Sequence, residues 1–455
     1  MKARRTEESG SLLLIALFLI LGIGAMLAAA VNLSGVDTLE TIEATQGGRA
    51  LFLAESGLEN AKYQLKNNLC TATGLTLPVT GQLAVGENFS VNVTSLGNNQ
   101  FRLDATGTAK TAQRQMREVV SCTVQGMWSA GIIGCQGISL NGNVHIDSVD
   151  TSVSSVTLLG NGDIQTLNPA APITLTGNVE LHGDAKTTGS GSNLSLTGNS
   201  VVYANANVTG SISLQPNTQI QGTSSSGQTA TTTAADCDPL GVTSYVSTHL
   251  ASAVPVGTPA AYSWSGNGSF TAASTYYATS FSLGANRTMN MTGPGNFVIY
   301  VTGGGSLSIA GNAVLNVSGG AHLTVYMSGG GTFGIGGNGV LNLLNNSTLT
   351  LYTTGPVDVQ GNGLANAGLP TNFRIYDSYS GAASLRLGGN AQLNGVIYAP
   401  LMPISMGGNP GVIGAVRGAS ISNNGNVEFN YDESLGLLSE GGKGVVAISS
   451  WQELF

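Results

Sequence analysis

Hydrophobic and polar positions follow three rhythms along this chain. From Ser11 to Val31 there are 21 residues without one charge, SLLLIALFLILGIGAMLAAAV. At ~1.5 Å per helical residue such a run spans roughly 30 Å, the thickness of a bilayer core, and it predicts a membrane-crossing helix. Lys2, Arg4 and Arg5 precede it, which places the start of the chain on the cytoplasmic side and the rest outside. The apolar pattern continues at Leu51, Ala54, Leu58, Ala61 and Leu65 in steps of three and four, one face of a helix. A secretory signal cleaved near Ala28 to Ala30 is the alternative reading of the same run.

From Leu83 the period drops to two. Phe89, Val91 and Val93, then Phe101, Leu103 and Ala105, alternate with polar residues across Gly97-Asn98-Asn99, and Arg114 to Val124 adds a further stretch. These predict a small antiparallel sheet, with the helical stripe through Leu58 and Leu65 at hand to cover it. From Gly126 a motif repeats: apolar-x-Gly-Asn-x-x-apolar begins at Leu140, Leu158, Leu175, Leu196, Ile309, Ile335, Leu387 and Met406, with looser copies at Val359 and around Gly425-Asn426. Irregular periods of this kind with glycine corners predict a solenoid of parallel strands, in which the asparagines can hydrogen-bond from coil to coil. A β-sandwich competes, but has no need of one local pattern in every copy.

Between the two sets of copies, Thr223 to Met291 is Ser/Thr-rich and then aromatic. Asp238-Pro239 can cap a short helix through Tyr245, Val246 and Leu250, and Trp264, Phe270, Tyr276, Tyr277 and Phe281 follow. The expected fold is α+β: a long N-terminal transmembrane helix with a small antiparallel sheet, then a large all-β parallel β-helix. The expected boundaries are a leader over 1–10, a transmembrane and stem helix over 11–68, a sheet over 69–125, solenoid over 126–222, an insertion over 223–291, solenoid over 292–435 and a tail over 436–455.

Charge narrows the function classes. Up to Gln125 there are 10 basic and 10 acidic residues, leaving 6 and 14 of the chain's 16 and 24 for the remainder, so the net −8 belongs to the repetitive region. No clustered basic and aromatic groove is visible, which argues against nucleic acid. Cys70, Cys122, Cys135 and Cys237 allow three pairings. Cys70 with Cys122 and Cys135 with Cys237 is preferred, because each pair closes a loop within or beside one domain. Their spacing has no metal-binding pattern, and no metal or cofactor is expected. Asp147, Asp150, Asp163, Asp358 and Asp377 are the carboxylates a glycan-cleaving solenoid would use. None lies in a clustered motif, and His145, His182, His249 and His322 are far apart in sequence. The expectation is a non-enzyme, with the carboxylates as solvated corners. The aromatics of the insertion read as a cap or core filling, with a binding platform as the alternative.

Gly10 followed by the apolar run, and then LFLAESGLENAKYQL over Leu51 to Leu65, resembles the stem of type IV pilins, most closely PilX-type minor pilins. The resemblance implies prepilin peptidase cleavage between Gly10 and Ser11, methylation of the freed amine, residence in the inner membrane before assembly, and packing of the N-terminal helix against other pilins. Ile15 stands where major pilins carry a glutamate, a departure that suits a subunit at a filament end. NGVIYAP at Asn394 to Pro400, PGVIGAV at Pro410 to Val416, FNYDESL at Phe429 to Leu435 and SWQEL at Ser450 to Leu454 resemble the β-helical domain of unassigned function often fused to such stems, and bring no catalytic residues. The implied function is a minor pilin that helps initiate a filament and displays its head at the tip, on the cell surface, toward a glycan or protein. A type II secretion pseudopilin and a polysaccharide-active β-helix enzyme are the alternatives.

Overall fold

A computed structural model of the chain describes residues 9–68, 70, 75–125, 127–152, 158–264, 267–270, 274–366, 368–437 and 443–454. The expected leader over 1–10 therefore lies mostly outside the described residues, and Gly10 and Ser11 are described only as helical backbone. Two compact units result: Met1–Val124 with Lys443–Phe455, and Gln125–Gly442.

In the first unit, helix α1 runs Ser9–Asn67. Ala54, Leu58, Ala61 and Leu65 are buried, packed with Val91, Leu103, Ala105 and Met116 of an antiparallel sheet, and Leu51 is half-buried against the same cluster. Its strands are Val79–Ala84, Glu87–Gly97, Gln100–Ala109 and Ala112–Gln125, and Lys443–Leu454 joins the edge beside Ala112–Gln125. The stretch expected as a tail thus supplies a strand from the far end of the chain. Helix and sheet touch most closely at Gly107, where an added Cβ would stand 2.0 Å from the Ala50 carbonyl oxygen. Lys62 links the helix to the sheet through Glu118 at 3.1 Å. A disulfide joins Cys70 to Cys122.

The expected fold class is corrected here. The described chain is mostly β, with α1, α2 (Val242–Ser252) and short 3-10 turns as the helical remainder. Among the described residues no helix is long and apolar enough to cross a membrane. The single-pass anchor in the inner membrane is withdrawn on the same ground.

The second unit is one parallel solenoid whose spatial order is not the chain order. Along one wall the hydrogen-bonded strands run Ile212–Leu214, Leu194–Gly198, Ile173–Leu181, Ile138–Val149, Ile421–Asp432, Ile404–Gly408, Leu385–Leu387, Val357–Val359, Phe333–Ile335, Leu307–Ile309, Ser274–Leu283 and Ala260–Trp264. The last coil of the chain therefore stacks on the first, in twelve consecutive register pairs from Ile421↔Ile138 to Asp432↔Val149. One inward column is apolar along this wall, as in Leu194, Ile173, Ile138, Ile421, Ile404, Leu385 and Phe333. Asn423 interrupts the next inward column at the junction, and its Nδ2 donates to the Asn141 carbonyl oxygen at 3.1 Å.

Repeat glycines form one corner column. At Gly361, φ is +72° and an added Cβ would lie 1.6 Å from the Gly337 carbonyl oxygen, so a side chain is excluded both by conformation and by space. Beside the glycines, asparagine amides bond from coil to coil: Asn199 to Asn178 at 2.9 Å, Asn178 to Asn143 at 2.8 Å, Asn143 to Asn426 at 2.9 Å and Asn426 to Asn409 at 2.9 Å. The copy at Leu158 is an exception. Leu158 and Leu159 are exposed, and the Gly160 amide instead donates to Asp147 Oδ1 at 2.9 Å.

The expected insertion over 223–291 divides. From Ala260 on it forms the end coils, and before that the chain crosses the outside of the stack, fastened at several points. Cys237 is bonded to Cys135, and Arg417 donates to the carbonyls of Asp236, Cys237 and Met127. Asp238 accepts from the Val242 amide at 2.9 Å and from the Tyr398 hydroxyl at 2.7 Å, which fixes the start of α2. Val242, Val246 and Leu250 of α2 are buried. Beneath them Tyr300, Tyr326, Tyr352 and Tyr376 stack at centroid spacings of 5.8, 5.4 and 5.4 Å.

Leu58→Ala removes a side chain that is 2 % exposed between helix and sheet, and is expected to cost the first unit roughly 2–5 kcal/mol in denaturant unfolding. Gly107→Val should be worse, because its branch meets backbone. Asp377 is fully buried, with one oxygen accepting from the Tyr379 amide at 2.8 Å and the other unpartnered. Burial raises its pKa well above the usual carboxylate value. The folded state therefore holds a proton that the unfolded state releases, and stability falls as pH rises from the unfolded value toward the folded one. Asp377→Asn should raise the solenoid's melting temperature at pH 7 and flatten its dependence between pH 4 and 7.

Candidate functional site on the outer wall beyond the asparagine corner

After each Gly-Asn corner the chain enters a second wall, where alternate residues face outward. Counted from the repeat starts Leu140 and Leu175 as the first positions, the sixth residues are His145 and Glu180 and the eighth are Asp147 and His182. The parallel register sets His145 beside Glu180, and on its other side, across the junction, Glu428 beside His145 and Asn430 beside Asp147. Residues 283 positions apart thus become neighbours on one surface.

His145 Nδ1 lies 3.2 Å from Glu180 Oε2, and His145 Nε2 lies 3.9 Å from Asp147 Oδ2. The other oxygen of Asp147 accepts from the Ser148 and Gly160 amides at 2.7 and 2.9 Å, so this carboxylate is held in place while one oxygen faces the imidazole. The rings of His145 and His182 are 4.9 Å apart, tilted by 53°, and His182 stacks on Tyr203 at 4.1 Å. Ligand atoms of His145, Glu180 and His182 all lie within 4.8 Å of one another, a set able to hold a metal ion. A groove of about 630 Å³ adjoins, lined by Asn143, His145, Glu180, Gln392, Asn409 and Glu428 among others. Its carboxylates and amides offer acceptors and donors to hydroxyl-bearing or cationic ligands.

The other candidate residues are dispersed. Asp163 and Asp184 share Lys186, at 2.7 and 3.2 Å. Burial alone would lower the Lys186 pKa, but the two carboxylates outweigh it and raise it. Asp150 bonds Ser152, Asp358 accepts from Gln360, and Asp377 is the buried group described above. His249 stacks on Tyr352 at 4.4 Å, and His322 meets Thr348 at 2.9 Å. Of the insertion's aromatics, Phe281 is core, Tyr277 meets Tyr300, and Tyr276 packs edge-on to Phe270 and Tyr262. Phe270, Tyr276 and Tyr277 are half-buried in the end coils, and the Trp264 side chain lies outside the described residues.

Sequence reasoning passed over the His145, Glu180 and His182 group because linear distance separates its members. The signal was available in the repeat frame, where His145 and Glu180 take the sixth position of two copies that stack and His182 the eighth, one residue past the motif. Glu428 follows the loose copy at Gly425-Asn426 at the equivalent position, but its place beside His145 depends on the order of the coils.

Residues 330–437 match the profile of a family described as a domain of unknown function, DUF7305. No curated protein matches the chain. Among solved structures, the chain is similar to the competence-associated pilin ComZ from Thermus thermophilus, at 10% identity and a TM-score of 0.26, over 90% of this chain and 98% of that one. It is also similar to an ice-binding protein from the Antarctic ascomycete Antarctomyces psychrotrophicus, at 15% identity and a TM-score of 0.22, over 68% and 98%. An ice binding protein from an Antarctic Flavobacteriaceae bacterium aligns at 10% identity and a TM-score of 0.11, over 66% and 96%.

Proposed function

We propose that this chain is a non-enzymatic, pilin-like minor subunit of a surface filament, carrying a β-solenoid head that binds hydroxyl-rich ligands along its outer groove. The observation that carries the reading is the change of character along α1. From Ala50 to Leu65 its apolar face is covered by its own sheet, whereas Ile15–Val31 is exposed along its whole length, with Phe18 at 68%, Ile20 at 69% and Met26 at 76%. A contiguous apolar surface of that extent calls for a covering partner, and the equivalent helices of neighbouring subunits have the matching chemistry. Two disulfides favour an oxidising location outside the cytoplasm. A subunit that carries a second unit as large as Gln125–Gly442 suits a filament end. Prepilin peptidase processing between Gly10 and Ser11 belongs to the same reading.

Mass spectrometry of the N-terminus of protein recovered from sheared surface filaments tests it. The expected chain begins at Ser11 with a methylated amine. A chain that keeps 1–10, or one that starts just after Ala30, overturns it. Phe18→Asp should remove the subunit from the sheared fraction while its total amount in the cell is unchanged.

A further inference from the structure

We infer that His145, Glu180 and His182 form a binding site for one divalent transition-metal ion of the zinc type, on the outer wall of the solenoid. This inference stands apart from the filament reading, since it uses residues of the second unit alone. Two imidazoles and one carboxylate make a donor set that suits zinc, nickel or copper and leaves a position open to solvent. Tetrahedral zinc with bonds of ~2.0–2.1 Å sets its ligand atoms roughly 3.3 Å apart. His145 Nδ1 and Glu180 Oε2 are already 3.2 Å apart. All three ligand atoms lie within 4.8 Å, so a modest side-chain rotation of His182 closes the set.

A simple ion pair between His145 and Glu180 would explain their contact and nothing more. It leaves without a role the second imidazole placed 4.9 Å from the first, and the stacking on Tyr203 that orients its plane. It also leaves Asp147, whose oxygen stands 3.9 Å from the far nitrogen of His145 while the carboxylate is pinned by two backbone amides. A carboxylate behind a ligating imidazole is the usual arrangement for orienting it toward a metal. The strands are fixed by continuous parallel pairing from Ile138↔Ile173 to Ile146↔Leu181, so the donors sit on a rigid wall. Glu428, in register with His145 on the opposite side, adds negative charge favourable to a cation. His145 and Glu180 also line the groove, so a hydroxyl or carboxylate of a ligand lying there could complete the coordination.

The intact chain, stripped with a chelator, is titrated with Zn²⁺ in a calorimeter, with Mg²⁺ and Ca²⁺ in parallel. The expected result is one equivalent of Zn²⁺ and no response to Mg²⁺ or Ca²⁺. His145→Ala with His182→Ala should weaken binding at least 100-fold, and Asp147→Asn by about 10–100-fold. His182→Asn is the milder variant, read the same way if the double variant melts early. No Zn²⁺ uptake, uptake undiminished by the histidine substitutions, or equal binding of Mg²⁺ overturns the site.

Discussion

Everything in the second unit depends on one backbone ladder, the parallel pairing of Ile421–Asp432 with Ile138–Val149. Without it the coils before and after the crossing segment would be two short stacks, each with an unpaired strand edge and an apolar end exposed. With it the apolar column runs unbroken from Leu194 through Ile138 and Ile421 to Phe333. Main-chain hydrogen bonds are indifferent to side chains, so identity at the junction must come from elsewhere. Asn423 supplies part of it, a buried polar residue in an apolar column whose Nδ2 donates across this junction to the Asn141 carbonyl and to its own Gly425 carbonyl. A buried polar group costs stability unless its partner is in register, and this favours one docking over slipped ones.

The crossing segment makes that ladder possible. Between Ile212–Leu214 and Ala260–Trp264 the stack rises eleven strand steps, at ~4.8 Å each roughly 50 Å. The chain must cover that distance on the outside before it can coil back. The Cys135–Cys237 bond, the carbonyls held by Arg417 and the Asp238 contacts tie its start to coils on both sides of the junction. The tyrosine stack then receives α2. The insertion's composition has its reason here: small polar residues where the chain runs over the surface, and aromatics where it ends in the last coils.

The candidate site follows from the same geometry. A residue's outward neighbours are set by its position within the repeat and by which coil lies next. The first of these is written in the Gly-Asn motif, and it pairs His145 with Glu180. The second is not, and it brings Glu428 to His145 and Asn143 to Asn426 at 2.9 Å. The exposed Leu158 copy shows the limit of motif reading, for the same seven-residue pattern occurs there with its first apolar position turned out to solvent. Its glycine amide is captured by Asp147, and that capture fixes the carboxylate behind His145.

By itself the sequence determined the local forms: a helix with a period of 3.6, strands with a period of two, and glycine corners that only a stacked backbone requires. It also carried the asparagine ladder, because side chains repeated at one position of a solenoid must stack. Tertiary structure alone decided which coil meets which, and that Lys443–Leu454 returns to complete the sheet of the first unit. The physical reason is common to these cases. Periodicity reports which side of an element is apolar, whereas neighbours far apart in sequence are chosen by the closure of the whole core, to which every coil contributes a little and no short stretch contributes enough.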